Sequence, residues 1–220
     1  MDARFAFDLE AAGGGVLVAG ADEAGRGCLA GPLVAAAVCL DYAALGAEGR
    51  AALAGIDDSK RLAPARRDAL YDQILGRALQ VVVVALSAVT VDRRGLHRCN
   101  LEALSRALEH LDPAPSVALV DGFSLPGCLR PHRAVVGGDR VSAAVAAASI
   151  VAKVTRDRTM RRLHEAHPVY GFDRHVGYAT AAHRRAIETH GVCELHRLSF
   201  ASSAYRALGP DGAPAVRPSR

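Results

Sequence analysis

Apolar runs of strand length, set apart by stretches with helical spacing, constrain the fold of this chain more than any other feature. Val16 to Ala21 follows Gly13-Gly14-Gly15 and reads as a buried strand. Leu33 to Leu40 is a second, and Gln80 to Leu86, with four consecutive valines, a third. Ser116 to Asp121 and Ala134 to Val136 read as two more. Between them, Pro64 to Gly76 carries proline in its first turn, and His97 to Leu111 keeps helical spacing. The alanine-rich stretch from Ser142 to His164 predicts a long helix, and Thr180 to His190 another that stops at Gly191. Strands, then alternation, then helices gathered in the C-terminal third predict an α/β fold: a central sheet flanked by helices, with a helical C-terminal portion.

The 220 residues, half of them hydrophobic, suit one ordinary domain. We expect it over residues 1–206, with a flexible Gly/Pro-rich tail over 207–220. The longest apolar run, Gly27 to Leu40, is too short for a bilayer, which needs about twenty residues. The first residues are acidic, unlike the basic start of a signal peptide, so a cytoplasmic protein with no membrane partner is expected. The five cysteines (Cys28, Cys39, Cys99, Cys128 and Cys193) are odd in number and form no Cys-x-x-Cys pair, so they read as buried free thiols. Net charge is +4, which permits an acidic partner without demanding one. Of the 27 basic residues only Lys60 and Lys153 are lysines, which marks two places for a compact, strongly hydrated cation.

The acids at strand ends carry the chemistry. Asp22 and Glu23 close the first strand before Ala24-Gly25-Arg26-Gly27. Adjacent strand residues point to opposite faces, so both serve one site only if the strand ends or twists between them, and Gly25 supplies that freedom. Asp121 ends another strand beside Gly122, and Asp139 follows Gly137-Gly138. Three strand ends with acids, and no His or Cys among them, suit a hard cation, Mg²⁺ or Mn²⁺. Crowded carboxylates repel, and a bound cation lets them stay ionised. Turn acids in solvent are the plainer alternative.

These segments resemble ribonuclease HII. The resemblance rests on Asp22-Glu23-Ala24-Gly25-Arg26-Gly27 followed by Gly31-Pro32-Leu33, on Asp58-Ser59-Lys60-Arg61-Leu62, and on Val120-Asp121-Gly122. It continues in the run from Ala146 to Asp157, in Gly177-Tyr178 and in His196-Arg197-Leu198-Ser199-Phe200, spanning roughly residues 16 to 206. Two departures stand out: Gly137 replaces a residue that is often basic, and Val176 replaces the lysine of the usual His-Lys-Gly-Tyr.

The resemblance implies an RNase H-like fold, a central mixed sheet flanked by helices. It implies an endonuclease that hydrolyses the RNA strand of RNA–DNA hybrids and nicks DNA at embedded ribonucleotides, leaving a 5′-phosphate and a 3′-hydroxyl. Asp22, Glu23, Asp121 and Asp139 would be the catalytic metal ligands of a two-metal site, with Asp22 as the bridging group. Gly25, Arg26 and Gly27 would read the 2′-hydroxyl through main-chain groups, with Tyr178 packing on the neighbouring sugar. Lys60, Ser149 and Lys153 would contact phosphates. Asp157, between Arg156 and Arg158, reads as a partner in local ion pairs. Ten aromatics and no tryptophan leave no stacking platform for single strands, so a duplex partner and a monomeric enzyme are expected.

Three alternatives compete. Ribonuclease HIII carries a sizeable N-terminal domain, and only 21 residues precede Asp22. A non-catalytic duplex-binding module would be expected to lose metal acids, yet all four stand. His190, Cys193 and His196 lie at three-residue intervals but lack a clear fourth ligand for structural zinc.

Overall fold

A computed structural model of the chain describes residues 2–56, 59, 62–200, 202–206, 208, 209 and 212. Its elements are α1 (Ala3–Ala12), β1 (Leu17–Ala24), β2 (Leu33–Asp41), α2 (Tyr42–Ala52), α3 (Pro64–Leu75), β3 (Gln80–Leu86), α4 (Ala88–Arg94) and α5 (Leu96–Glu109). They continue with β4 (Val117–Asp121), β5 (Arg133–Val135), α6 (Gly138–Val141), α7 (Ala143–Ala166), α8 (Phe172–His175) and α9 (Ala181–His190). The strands form one sheet in the order β3-β2-β1-β4-β5. β1 runs antiparallel to β2 and parallel to β4, and β4 runs parallel to β5, so the sheet is mixed.

The five strands and four of the helices follow the sequence reading to within a few residues. α1, α2 and α4, and the single-turn α6 and α8, were not anticipated. α1 is capped by the Asp2 side chain, which accepts from the Arg4 amide at 2.9 Å, and closed by Gly13 in the left-handed region. It carries an acid inward: Asp8 is fully buried and accepts from the Tyr42 hydroxyl at 2.5 Å and the Ala144 amide at 2.9 Å. A carboxylate there meets the unpaired amides at the start of α7, where an anion is stabilising. Burial pushes the Asp8 carboxyl up, and these hydrogen bonds oppose the rise.

The alanine run explains how α7 sits on the sheet. Ala143 to Ala148 are all fully buried. A Cβ at Gly20 of β1 would lie 2.1 Å from the Ala144 carbonyl carbon, so only glycine lets strand and helix backbones approach this closely. Around this contact Val18, Leu40, Leu70, Ile74, Leu119 and Ile150 form the main core. Burying each such side chain contributes about 1.5–3 kcal/mol.

The chain groups into two compact units. One comprises Met1–Ala24, Val34–Ala85 and Asn100–Thr155, and the other Gly25–Leu33, Leu86–Cys99 and Arg156–Arg220. The first holds the sheet. The second has its own small cores, around Met160, Tyr170 and Phe172 and around Leu29, Ile187 and Ala204. Most of the expected 207–220 tail lies outside the described residues, but the Gly212 carbonyl accepts from the Val192 amide at 3.1 Å, so that point is held. All five cysteines are free thiols; Cys28, Cys39 and Cys99 are buried as expected, whereas Cys128 and Cys193 are half-buried. Among the described residues, no helix is long and apolar enough to cross a membrane.

Candidate active site

Parallel pairing of β1 with β4 sets the acid cluster. The register pairs Ala21 with Val120, so Asp22 and Asp121 are the next residues along two neighbouring strands. β4 also pairs with β5, Asp121 opposite Val135, and the chain leaving β5 turns through Gly137 and Gly138 to Asp139. Gly137 takes φ 64°, a left-handed turn, and the Gly138 amide donates to Asp121 Oδ1 at 2.7 Å. Asp121 and Asp139 are thus tied through one residue.

β1 does not end between Asp22 and Glu23, the first of the two ways in which both could serve one site. Both lie within it, paired with Ala36 and Ala35, and the strand runs to Ala24. Asp22 instead bends along the strand, its Oδ1 accepting from the Glu23 amide at 2.7 Å. Asp22 and Asp139 are buried, and Glu23 and Asp121 are half-buried. Burial pushes the Asp22 carboxyl well above the usual carboxylate range, the charge of Glu23 raises it further, and Asp121 adds to this. Only a hydrogen bond from Ser149 and the Glu23 amide oppose.

Carboxylates with no soft donor, here Asp22 crowded by the charges of Glu23 and Asp121, are what a hard divalent cation satisfies. The donor set therefore fits Mg²⁺ or Mn²⁺.

Ser149, expected at a phosphate, is buried at 4% exposure. Its hydroxyl lies 2.9 Å from Ser59 Oγ and also bonds Asp22. A hydroxyl both donates and accepts, so Ser149 donates to Asp22 while the Ser59 hydroxyl donates to Ser149 in turn, and Ser149 touches the acid cluster. Sequence reasoning missed this link from Ser59 through Ser149 to Asp22, because nothing in periodicity brings residues ninety apart together. Lys153, one helical turn further along α7, is half-buried. Lys60, with Asp58 and Arg61 of the same motif, lies outside the described residues.

The second unit carries Gly25, Arg26, Gly27 and Tyr178. Gly25 is buried and Gly27 exposed. Gly25 takes φ 94°, and a Cβ on it would sit 2.1 Å from Arg156 Nε, whereas one on Gly27 would meet nothing within 4 Å. The need for glycine at position 25 is thus internal. Tyr178 is 37% exposed, too open for a tyrosine that serves the core alone. Partial burial raises its phenol, with Cys28 adding to the rise.

Arg156 does not serve as the ion-pair partner expected for Asp157. Its donors go to the main-chain carbonyls of Pro32 at 2.9 Å, Val176 at 2.8 Å and Ala30 at 3.0 Å. The spaced trio His190, Cys193 and His196 is not assembled as a metal site either. His196 Nε2 lies 3.1 Å from His183 Nε2, while its Nδ1 accepts from the Cys193 amide at 3.0 Å. His167, Cys193 and Glu194 come closer to a donor group, within 4.8 Å of one another, but Glu194 already pairs with His167 at 3.2 Å.

The ribonuclease HII family model matches residues 19–203. The chain is 51% identical over 185 residues to the ribonuclease HII of Saccharopolyspora erythraea, covering 84% of this chain and 79% of that one. It is 54% identical over 186 residues to the ribonuclease HII of Brucella suis, covering 84% and 81%. Among solved structures, ribonuclease H2 from Pyrococcus horikoshii OT3 superposes with a TM-score of 0.74 at 26% identity, over 84% of this chain and 94% of that chain.

Proposed function

The chain belongs to the ribonuclease HII family, a family of ribonuclease H endonucleases acting on RNA–DNA hybrids, and on that premise we propose that it also nicks DNA duplexes at embedded ribonucleotides with two divalent cations, Mg²⁺ or Mn²⁺. The observation that carries the catalytic reading is the crowding of Asp22 by Glu23 and Asp121 at the ends of two parallel strands.

Bound cations would activate a water and neutralise charge on the scissile phosphate. Asp22, Glu23, Asp121 and Asp139 would hold them, Asp22 as the shared ligand. The Gly138 amide occupies Asp121 Oδ1, which would leave Oδ2 for a cation. Ser149 and the Glu23 amide hold Asp22 in one rotamer. Arg26, Gly27 and Tyr178 would meet the ribonucleotide, with Lys153 and Lys60 on phosphates. The products would carry 5′-phosphate and 3′-hydroxyl ends, and a monomer in the cytoplasm would suffice.

Cleavage-site mapping on three duplexes tests this reading: an all-RNA/DNA hybrid, DNA with one ribonucleotide, and all-DNA. The expected pattern is Mg²⁺- or Mn²⁺-dependent cutting of the first two and none of the third. Binding to all three without cutting would favour the duplex-binding module instead.

A further inference from the structure

Arg156 and Arg197 are the two largest fully buried side chains among the described residues. Among the described residues neither is within ion-pair distance of a carboxylate. Arg197 donates from Nε and Nη2 to the Gly31 carbonyl at 3.0 and 2.8 Å, and from Nη1 to the carbonyls of Gly25 at 2.6 Å and Arg26 at 3.2 Å. With the three bonds of Arg156, six main-chain carbonyls of Gly25, Arg26, Ala30, Gly31, Pro32 and Val176 converge on two guanidinium groups. A buried cation without a carboxylate is expensive, and only a full set of well-aimed acceptors compensates for it. The planar fork of arginine spreads five donors over three nitrogens, whereas lysine has three on a single nitrogen and cannot span carbonyls this far apart.

The glycines of this region are shaped around the same groups. Gly25, Gly31 and Gly177 take φ of 94°, 89° and 86°. A Cβ would meet Arg156 Nε at 2.1 Å from Gly25, Met160 Sδ at 2.2 Å from Gly31, and the Ala30 carbonyl oxygen at 2.3 Å from Gly177. Main-chain bonds close the arrangement: Leu29 amide to Gly177 carbonyl at 2.9 Å, and Arg197 amide to Leu29 carbonyl at 2.7 Å. Phe200 lies under the Arg197 guanidinium, 5.4 Å from its ring centre. Burial lowers Arg197 only to about 10, so it stays charged at neutral pH.

We infer that Arg156 and Arg197 are positioning residues for ribonucleotide recognition, a paired clamp that presets the Gly25–Gly27 main chain and the turn before Tyr178. The inference rests on the proposed reading of the 2′-hydroxyl by this segment. A trans peptide points its C=O and N–H in opposite directions. Turning the Gly25 and Arg26 carbonyls onto Arg197 therefore turns the Arg26 and Gly27 amides away from it, as a main-chain reader needs. Preset amides bind without an ordering cost, so the clamp acts on discrimination and not on phosphate contacts.

Arg197→Lys and Arg156→Lys in the full chain keep the charge and lose the fork. The measurement is anisotropy of two duplexes without divalent metal, one with a single ribonucleotide and one all-DNA, reported as the ratio of their Kd values. We expect each variant to lose about tenfold of the wild-type preference while all-DNA Kd moves less than twofold. Phe200→Leu, which leaves Arg197 in place but removes the ring beneath it, should lose about threefold, and decides the matter if the lysine variants do not fold. Folded variants that weaken both duplexes equally, or keep the full preference, overturn the clamp. A wild-type chain without any preference overturns the functional reading itself, which is a different result.

Discussion

His183 and His196 face each other through their Nε2 atoms at 3.1 Å, both buried, with the His175 ring stacked on His183 at 4.4 Å between centroids. His196 Nδ1 accepts from the Cys193 amide, so its Nε2–H donates to His183 Nε2, whose Nδ1–H goes to the Tyr178 carbonyl, and each ring needs only one proton. Burial lowers His183 and His196 to about 4, the neighbouring His175 and, for His196, His167 lower them further, and hydrogen bonds to the Tyr178 and Cys193 main chain oppose the fall.

A pH dependence follows. The unfolded chain titrates its histidines near 6.5 and the folded one near 4, so between these values the unfolded state binds more protons. The stabilisation is full above about pH 6.5 and is lost as pH falls toward 4, by a few kcal/mol for the pair. Thermal melts at pH 7.5 and 5.0 should show a clear drop in Tm, smaller in His183→Gln. A flat profile between those values contradicts neutral burial of the pair.

Gly25 and Gly27 separate two uses of glycine. Gly25→Ala overpacks against Arg156 at about 1–3 kcal/mol and adds about 1–2 kcal/mol for its left-handed backbone. It should lower Tm and cleavage together. Gly27→Ala meets open space and has no such backbone, so Tm should hold while ribonucleotide cleavage falls, through blocked approach of substrate alone. Equal Tm losses in both would remove the distinction.

Arg26→Ala should weaken all duplexes yet keep most of the ribonucleotide preference, since the reading groups are in the main chain. Tyr178→Phe should cost about 1–3 kcal/mol at a ribonucleotide site if its hydroxyl bonds there. Competition cleavage of mixed duplexes gives both numbers. Loss of the preference in Arg26→Ala with none in Gly27→Ala would move recognition into the side chain.

Lys153→Ala should weaken hybrid binding regardless of sequence and reduce the log–log salt slope by roughly 0.9 on a B-form duplex. Lys60→Ala should do the same. Unchanged slopes would return both lysines to the solvated surface.

Much of this was legible in the chain because strand-length apolar runs ended by glycine leave few alternatives, and β1 to β5 lie where those runs stand. α2 escaped notice because Gly46 and Gly49 interrupt it, and Gly46 is non-helical at φ 58°. α1 escaped because its inward face carries Asp8, a residue read as polar surface until Tyr42 and Ala144 are seen to meet it. The four acids could be chosen from their strand ends. That Asp22 and Asp121 come side by side could not be foreseen, since it depends on β1 pairing in parallel with β4, across nearly a hundred residues. Arg156 and Arg197 stood inside recognised motifs, but arginine is expected at the surface, and only packing reveals what they hold.

The central claim is that acids at the ends of β1 and β4 carry metal-dependent cleavage, and Asp121→Asn tests it most directly. Asparagine keeps the Oδ1 acceptor for the Gly138 amide and removes the anionic ligand. Initial rates in saturating Mg²⁺ on a single-ribonucleotide duplex should fall by orders of magnitude, with duplex Kd and Tm unchanged. A near wild-type rate in that variant would show that Asp121 holds no catalytic cation.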